Sequence, residues 1–214
     1  MRRFLQSISK RMREAVFTPE APEDIDVSRR TWELGVFYIS EMDKCFSGGT
    51  FFAANIVGAA VLETVLLLVC LRYKSKVIAT QKWQKIHKNE PPKPFSELLS
   101  GNRVGLAALL AIAEELFWFP NGIPPGFRQE IVGMVGEDKV RNIENGIPGV
   151  IGISQLGVVL STALRNALHP GRSIKRPMAE HQFMSAISIL SCLIALGNIL
   201  ETLQNTSPTP EVTS

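Results

Sequence analysis

The sequence is poor in the residues and motifs that most enzyme classes need. It has three cysteines and three histidines among 214 residues, with no CxxC or HExxH pairing of the kind that holds zinc. The GxxxxGK[ST], GxGxxG and GxSxG motifs are also missing. These absences argue against ATP-driven, Rossmann and α/β-hydrolase functions. We therefore predict no cofactor and no metal site.

The cysteines are also too few and too far apart for a disulfide framework. Cys45, Cys70 and Cys192 each lie in an apolar or helical context, where a free cysteine behaves as a small buried hydrophobe. Residues 1–16 lack the continuous apolar run and the small-residue cleavage site of a secretory signal. Both observations favour a reducing compartment, and we predict a cytoplasmic protein.

Two apolar runs are long enough to cross a bilayer. Residues 51–70 and 181–200 each have about the ~20 residues that a span requires. The first run carries Glu63 near its centre, which is costly in a membrane. The central helix of a soluble bundle is also apolar nearly all round. We favour the soluble interpretation, and a membrane-associated helical protein stays as an alternative.

No strand pattern interrupts the helical periodicity of the chain. Six long helices are predicted, over residues 2–16, 26–46, 50–88, 95–119, 150–168 and 177–204. Glycine and proline fill residues 120–149, where one or two short helices fit. The predicted fold is all-α, an antiparallel four-helix-type bundle over residues 27–204. An N-terminal helical arm and linker (1–26), an irregular insertion near 120–149 and a disordered tail (205–214) complete it.

The net charge of +3 is unevenly placed. Two clusters carry much of the positive charge: Arg2, Arg3, Lys10, Arg11 and Arg13, and then Arg165, Arg172, Lys175 and Arg176. Such clusters favour anionic partners, although a solvated helix face has the same composition. The first cluster lies on an amphipathic helix that can dock on a partner, on the body of the protein or, less favoured, on a lipid surface.

The second cluster surrounds the string LRNALHPGR. Arg165 and His169 are four residues apart, so a helix places them on one face. Pro170 and Gly171 end that helix, and the helix dipole then favours the protonated imidazole. Arginine can bind two phosphate oxygens and histidine can transfer a proton near neutral pH. Metal-free RNA cleavage is one chemistry that this pair can perform, and a plain helix stop is the structural alternative.

The order of helical features resembles the small HEPN bundles, a group of RNA-acting helical domains. The matching segments, within residues 30–203, are DKCF (43–46), AANIVGAAVLE (53–63), FSELL (95–99), AIA (111–113) and RNALHPGR (165–172). The resemblance implies that Arg165, Asn166 and His169 form the nuclease or nucleotide-binding site. It also implies a homodimer. Three residues separate Arg165 from His169, which is shorter than the usual family spacing and favours binding without cleavage.

The sequence therefore predicts a HEPN-like domain that binds RNA or a nucleotide phosphate. Arg165, Arg172 and Lys175 are the predicted phosphate-binding residues, and Arg165, Asn166 and His169 are the candidate catalytic ones. At its most active the domain would be a metal-independent endoribonuclease, with a toxin or defence role by analogy. A non-catalytic helical scaffold is the alternative function.

Overall fold

The computed structural model describes residues 2–15, 17–101, 104–116, 118, 128–144, 196–197 and 199–200. Within these ranges the regular structure is entirely helical, which confirms the all-α class. The helices are α1 (Arg2–Glu14), α2 (Ile25–Ser47), α3 (Phe51–Arg72), α4 (Lys74–Ala79), α5 (Gln81–His87), α6 (Phe95–Leu99), α7 (Leu106–Glu115), α8 (Arg128–Val135) and α9 (Glu137–Glu144). A 3₁₀ turn, Pro22–Asp24, precedes α2.

Helices α2 and α3 form an antiparallel hairpin at the centre of the described structure. The turn between them depends on Gly49, whose φ of 73° lies in the left-handed region that glycine adopts without strain. The Thr50 backbone N–H and hydroxyl both bond to the Cys45 carbonyl, at 2.9 and 2.8 Å. These bonds close the last turn of α2 and direct the chain back along it into α3.

The amphipathic N-terminal helix packs against this hairpin. Leu5, Ile8 and Met12 are 0% exposed, and full burial of each such side chain stabilises the folded state by about 1.5–3 kcal/mol. The Trp32 indole N–H donates to the Met12 carbonyl at 3.3 Å. Helix α2 begins at Ile25, one residue before its predicted start. The Ser28 hydroxyl donates to the Phe17 carbonyl at 3.0 Å, which holds the connector after α1 against α2.

Gly35 marks the place where α1, α2 and α3 come closest. A Cβ at this position would overlap Met12 Cε of α1 and would lie 3.0 Å from Thr64 Cγ2 of α3. Glycine leaves room here for the end of the Met12 side chain and for Thr64, so a larger residue would have to displace both.

The helix predicted to run from residue 50 to residue 88 is in fact three helices. It breaks at Tyr73 and again at Thr80, where ψ is 144°. The Thr80 hydroxyl accepts a hydrogen bond from the Trp83 N–H, and the carboxylate of Glu115 accepts from two further N-terminal amides of α5. The second break is stabilised because partners distant in sequence satisfy the amides that it frees.

The predicted helix over residues 95–119 is likewise divided, into α6 and α7. Ser100 and Gly101 end α6 through hydrogen bonds to the carbonyls of Ser96 and Leu98. Gly105 then precedes α7 in an extended conformation, with ψ of 178°. The short helices expected between residues 120 and 149 are present as α8 and α9. Gly136 joins them with a φ of 92°.

Helix α3 also contains the segment Ala53–Arg72, which is long and apolar enough to cross a membrane by length and composition. Its mean hydropathy is 2.2, and 67% of the apolar window is buried inside the protein. A buried core helix meets the same criterion. Most of the second apolar run, 181–200, lies outside the described residues, but Leu196, Ile199 and Leu200 belong to the hydrophobic core.

The predicted helix over residues 150–168, most of the one over 177–204 and the tail 205–214 fall outside the described ranges. The four-helix arrangement needs those segments, so it stays a prediction.

Candidate anion-binding site

The site residues predicted from the sequence, Arg165, Asn166, His169, Arg172 and Lys175, lie outside the described residues. Most of the first basic cluster, by contrast, lies within the described residues.

Three cations lie on the outer side of α1. Arg3, Lys10 and Arg13 are exposed, and helical positions place Arg3 and Lys10 opposite the buried Leu5 and Met12, with Arg13 at the edge of the buried side. We call Arg3, Lys10 and Arg13 the basic face. At a rise of about 1.5 Å per residue, it extends over about 15 Å of helix. Because the apolar side of α1 is buried in the core, the basic face is fixed to the body of the protein and directed to solvent.

The cations of the basic face are weakly engaged by other side chains. Lys10 Nζ lies 3.9 Å from Glu14 Oε1, and both side chains are more than half exposed. Such exposed pairs contribute about 0–1 kcal/mol and screen easily. Arg3 and Arg13 make no ion pair with any residue in the described ranges. An external anion would therefore have to displace only the weak Lys10–Glu14 ion pair to bind this face.

An open cleft of about 320 Å³ lies beside the basic face, between α1 and α2. We call it the α1–α2 cleft. The described residues that line it are all polar or charged: Gln6, Ser9, Lys10, Arg13, Glu14 and Asp43. The cleft therefore places two cations close to the one carboxylate that α2 supplies.

Asp43 is the unusual member of this cleft. Its Oδ1 atom is buried and has no hydrogen-bond partner. The neighbouring Lys44 does not serve it, because Lys44 Nζ pairs with Glu41 Oε1 at 2.6 Å. No ion pair joins Asp43 to a cation in the described part of the chain. A buried acceptor without a donor is costly, so Asp43 calls for an explanation.

Glu63 lies in the middle of the apolar helix α3. It is half-buried, and this burial raises the pKa of its carboxyl group above the usual range. It has no hydrogen bond or ion pair with the residues described. Glu63 is therefore a poorly solvated acid of the core and does not line the cleft.

The adjacent acids Glu114 and Glu115 do not act together. Glu115 accepts hydrogen bonds from the backbone N–H groups of Gln81 and Lys82, at 2.8 and 2.9 Å. A carboxylate at a helix N-terminus satisfies free amides and interacts favourably with the dipole. Glu115 thus stabilises α5, and Glu114 contacts no described polar partner.

His87 and Cys70, two further potentially reactive side chains, are engaged in packing. His87 packs against the ring of Trp83 at a centroid distance of 4.2 Å, and its Nδ1 lies 2.8 Å from Glu90 Oε2. Cys70 is buried, which raises the pKa of its thiol and keeps it protonated. No group of three metal-ligating side chains occurs among the described residues.

Sequence reasoning found the basic cluster but missed the cleft. Asp43 and Lys10 are 33 positions apart, and only the docking of α1 on α2 brings them to one cavity. Comparison with known proteins adds no assignment: no family model matches the chain, and no curated protein or solved structure is significantly similar to it.

Proposed function

We propose that the chain is a helical domain that binds the phosphates of RNA or of nucleotides. The observation that supports this function is the basic face of α1: Arg3, Lys10 and Arg13 are exposed on a helix whose apolar side is fully buried. Phosphate contacts by Lys and Arg supply most of the sequence-independent affinity of a protein for nucleic acid.

The packing of α1 favours a polyanion over a lipid bilayer. An amphipathic helix binds a membrane by inserting its apolar side between the lipids. Here that side is occupied, because Leu5, Ile8 and Met12 are 0% exposed. Helix α1 would have to leave the core to insert, whereas it can bind phosphates in place.

The motif around Arg165 and His169 supports the same function from the sequence. Arg165 and His169 are spaced by one helical turn and followed by Pro170–Gly171, a pattern that predicts a cationic helix end suited to a phosphate. We propose that this helix end contributes a second phosphate contact. In cleavage, the RNA 2′-oxygen would attack the adjacent phosphorus and the bond from phosphorus to the 5′-oxygen would break. His169 would take the proton of the 2′-hydroxyl and return it to the leaving 5′-oxygen, while Arg165 would stabilise the negative charge on the phosphate oxygens.

Binding is tested with a labelled single-stranded RNA and fluorescence anisotropy. The triple variant Arg3→Glu, Lys10→Glu and Arg13→Glu is expected to lose about 100-fold in affinity at moderate salt, since phosphate contacts dominate. The control reverses three other exposed cations, Arg30, Lys85 and Lys88, so both proteins have the same net charge. Equal losses in the two triple variants would show that only net charge matters, and would contradict a role for the basic face.

Cleavage is tested separately, with the same RNA in EDTA. A metal-independent ribonuclease cuts under these conditions, and His169→Ala and Arg165→Ala abolish the activity. Binding without cutting in the wild type would leave a phosphate-binding domain, as the short spacing of the motif favours. Equal cutting by all three proteins would identify a contaminant and remove the ribonuclease hypothesis.

A second candidate is a helical interaction protein, favoured by the outward side of α2. Leu34 and Phe37 are 45% and 56% exposed there, and large apolar side chains of this kind are typical of protein interfaces. The expected partner is a second copy of the chain, in line with the homodimer implied by the HEPN resemblance. A Leu34→Ser and Phe37→Ser variant that is monomeric in sedimentation, beside a dimeric wild type, would support it. An unchanged dimer would contradict it.

A further inference from the structure

The α1–α2 cleft contains both signs of charge, and its carboxylate on α2 is not neutralised. Lys10 has only a weak, exposed ion pair with Glu14, which also lines the cleft. Lys10 and Arg13 lie on its α1 side, and Asp43 lies on its α2 side. Asp43 makes no ion pair with either cation among the described residues. A ligand for this cleft therefore needs an anionic group for the cations and a hydrogen-bond donor for the carboxylate.

The Asp43 carboxylate lacks a hydrogen-bond donor among the described residues. A carboxylate near the last turns of a helix is disfavoured by the dipole, and Asp43 lies four residues before Ser47, the last residue of α2. Its Oδ1 atom is also buried without a donor. A carboxylate only accepts hydrogen bonds, so a ligand group that completes it must be a donor, and a hydroxyl is one such group.

We propose that the α1–α2 cleft binds one ribonucleotide unit and recognises its ribose. Lys10 and Arg13 bind the phosphate, and the Asp43 carboxylate accepts a hydrogen bond from the 2′-hydroxyl. This inference rests on the proposed phosphate-binding function and makes it selective for RNA. The 2′-hydroxyl is the donor that distinguishes RNA from DNA, and within an RNA strand it is the ribose hydroxyl that stays free.

The size and the openness of the cleft fit this occupant. A volume of about 320 Å³ is at the lower end of the range for small-molecule sites, so it accommodates a mononucleotide. Because the basic face continues along α1 from Lys10 towards Arg3, neighbouring phosphates of a longer strand can contact the same helix. The cleft then reads the sugar of one nucleotide while the basic face binds the backbone of the strand.

The test is a titration of the full chain with 5′-AMP, 2′-deoxy-5′-AMP, 5′-UMP and inorganic phosphate, followed by NMR chemical shifts. We expect AMP and UMP to bind about tenfold more tightly than the deoxynucleotide, since one hydrogen bond to a charged group has about that effect. Inorganic phosphate should bind more weakly than the ribonucleotides. Equal affinities for AMP and its deoxy form, no binding of any nucleotide, or phosphate as tight as AMP would overturn the proposal. Binding of AMP but not of UMP would also overturn it, because a base amine would then be the donor.

Variants of Asp43 test whether this residue is responsible for the preference for ribose. Asp43→Ala should reduce the ratio of AMP to deoxy-AMP affinity to about one, even if removal of a negative charge strengthens both. Asp43→Asn, which preserves the shape and one acceptor oxygen, should retain part of the ratio. The matched control Asp138→Ala removes an exposed acid of α9 and should leave the ratio unchanged. An unaltered ratio in Asp43→Ala would overturn the assignment of the 2′-hydroxyl to Asp43.

Failure of this inference is distinguishable from failure of the proposed function. Arg3 belongs to the basic face but does not line the cleft. If Arg3→Glu weakens RNA binding while AMP and deoxy-AMP bind equally, the phosphate-binding function stands and ribose recognition falls. If AMP is discriminated while RNA binding is insensitive to Arg3→Glu, the cleft stands and the wider role of the basic face falls.

Discussion

Helices α1 and α3 both bury an apolar surface, but they differ in the side chains that remain exposed. From residue 61 to residue 71 of α3, only Glu63 and Leu67 are not fully buried. Helix α1 buries one side and presents Arg3, Lys10 and Arg13 on the other. The central helix therefore determines stability and has almost no polar group available for a partner. The peripheral helix adds less to the core and carries the groups that can bind a ligand.

A cavity in α3 should have the largest effect on the stability of the protein. Leu66 is 0% exposed at the centre of the core, so Leu66→Ala should lower the free energy of unfolding by about 3 kcal/mol. Urea denaturation followed by circular dichroism measures it. Leu34→Ala on the exposed side of α2 is the control and should cost less than about 0.5 kcal/mol. Similar losses in the two variants would show that α3 is not the central helix.

A bulky residue at Gly35 should weaken the packing of α1 against α2 and α3. Gly35→Val drives a side chain into Met12 and Thr64, and such overpacking costs about 1–3 kcal/mol. RNA affinity should fall as well, because the basic face loses its fixed position. The control is Gly133→Val in α8, where a Cβ would meet nothing within 4 Å. That variant should keep its melting temperature and its affinity, and equal effects at both glycines would contradict the close approach.

The lone acid of α3 gives a smaller effect with a definite pH dependence. Burial raises the pKa of Glu63, so the folded state binds its proton more tightly than the unfolded state does. The stabilisation linked to this proton is complete below the unfolded pKa and is lost as pH rises through the folded pKa. Glu63→Gln should therefore stabilise the protein near neutral pH, by at most about 1 kcal/mol because solvent screens a half-buried carboxylate.

Thermal melts of Glu63→Gln and wild type between pH 4 and pH 8 check this. The difference between the two should grow with pH. Glu114→Gln, an exposed acid on α7 with no described partner, should follow the wild type. A Glu63 variant that is less stable at neutral pH would mean that the carboxylate has a strong partner.

The connector after α1 should respond to pH in the opposite direction. The hydroxyl and then the backbone N–H of Ser75 donate to Glu20 and lower the pKa of its carboxyl group. The stabilisation is present above the unfolded pKa and is lost as pH falls through the folded pKa. Glu20→Gln should cost at most about 0.5 kcal/mol at neutral pH, since the group is exposed. The same melts measure it, with Glu33→Gln as control. A loss that persists at low pH would contradict this origin.

Local periodicity was enough to predict where helices form. The apolar spacing of Leu5, Ile8 and Met12 predicted α1, and the long apolar run predicted α3. The break at Thr80 was not predictable, because Glu115 stabilises it from 34 residues away. The fate of the apolar side of α1 was also open, since a partner, the body of the protein or a lipid satisfies the same pattern.

The candidate site was predictable only in its cations. A cluster of Arg and Lys near the N-terminus is visible in the sequence, and it indicates an anionic partner. Asp43 looked like one acid among the polar residues at the end of a helix. Its burial and its missing donor arise from the packing of α1 on α2, which no local pattern encodes.

The salt dependence of RNA binding tests the central claim most directly, namely that the basic face binds phosphates. For a single strand, log Kobs falls with log salt with a slope of about −0.7 for each phosphate contact. Loss of Arg3, Lys10 and Arg13 together should therefore reduce the slope by about 2, and the control reversal of Arg30, Lys85 and Lys88 should leave it unchanged. A slope that is the same in the wild type and in the Arg3, Lys10 and Arg13 variant would contradict the account.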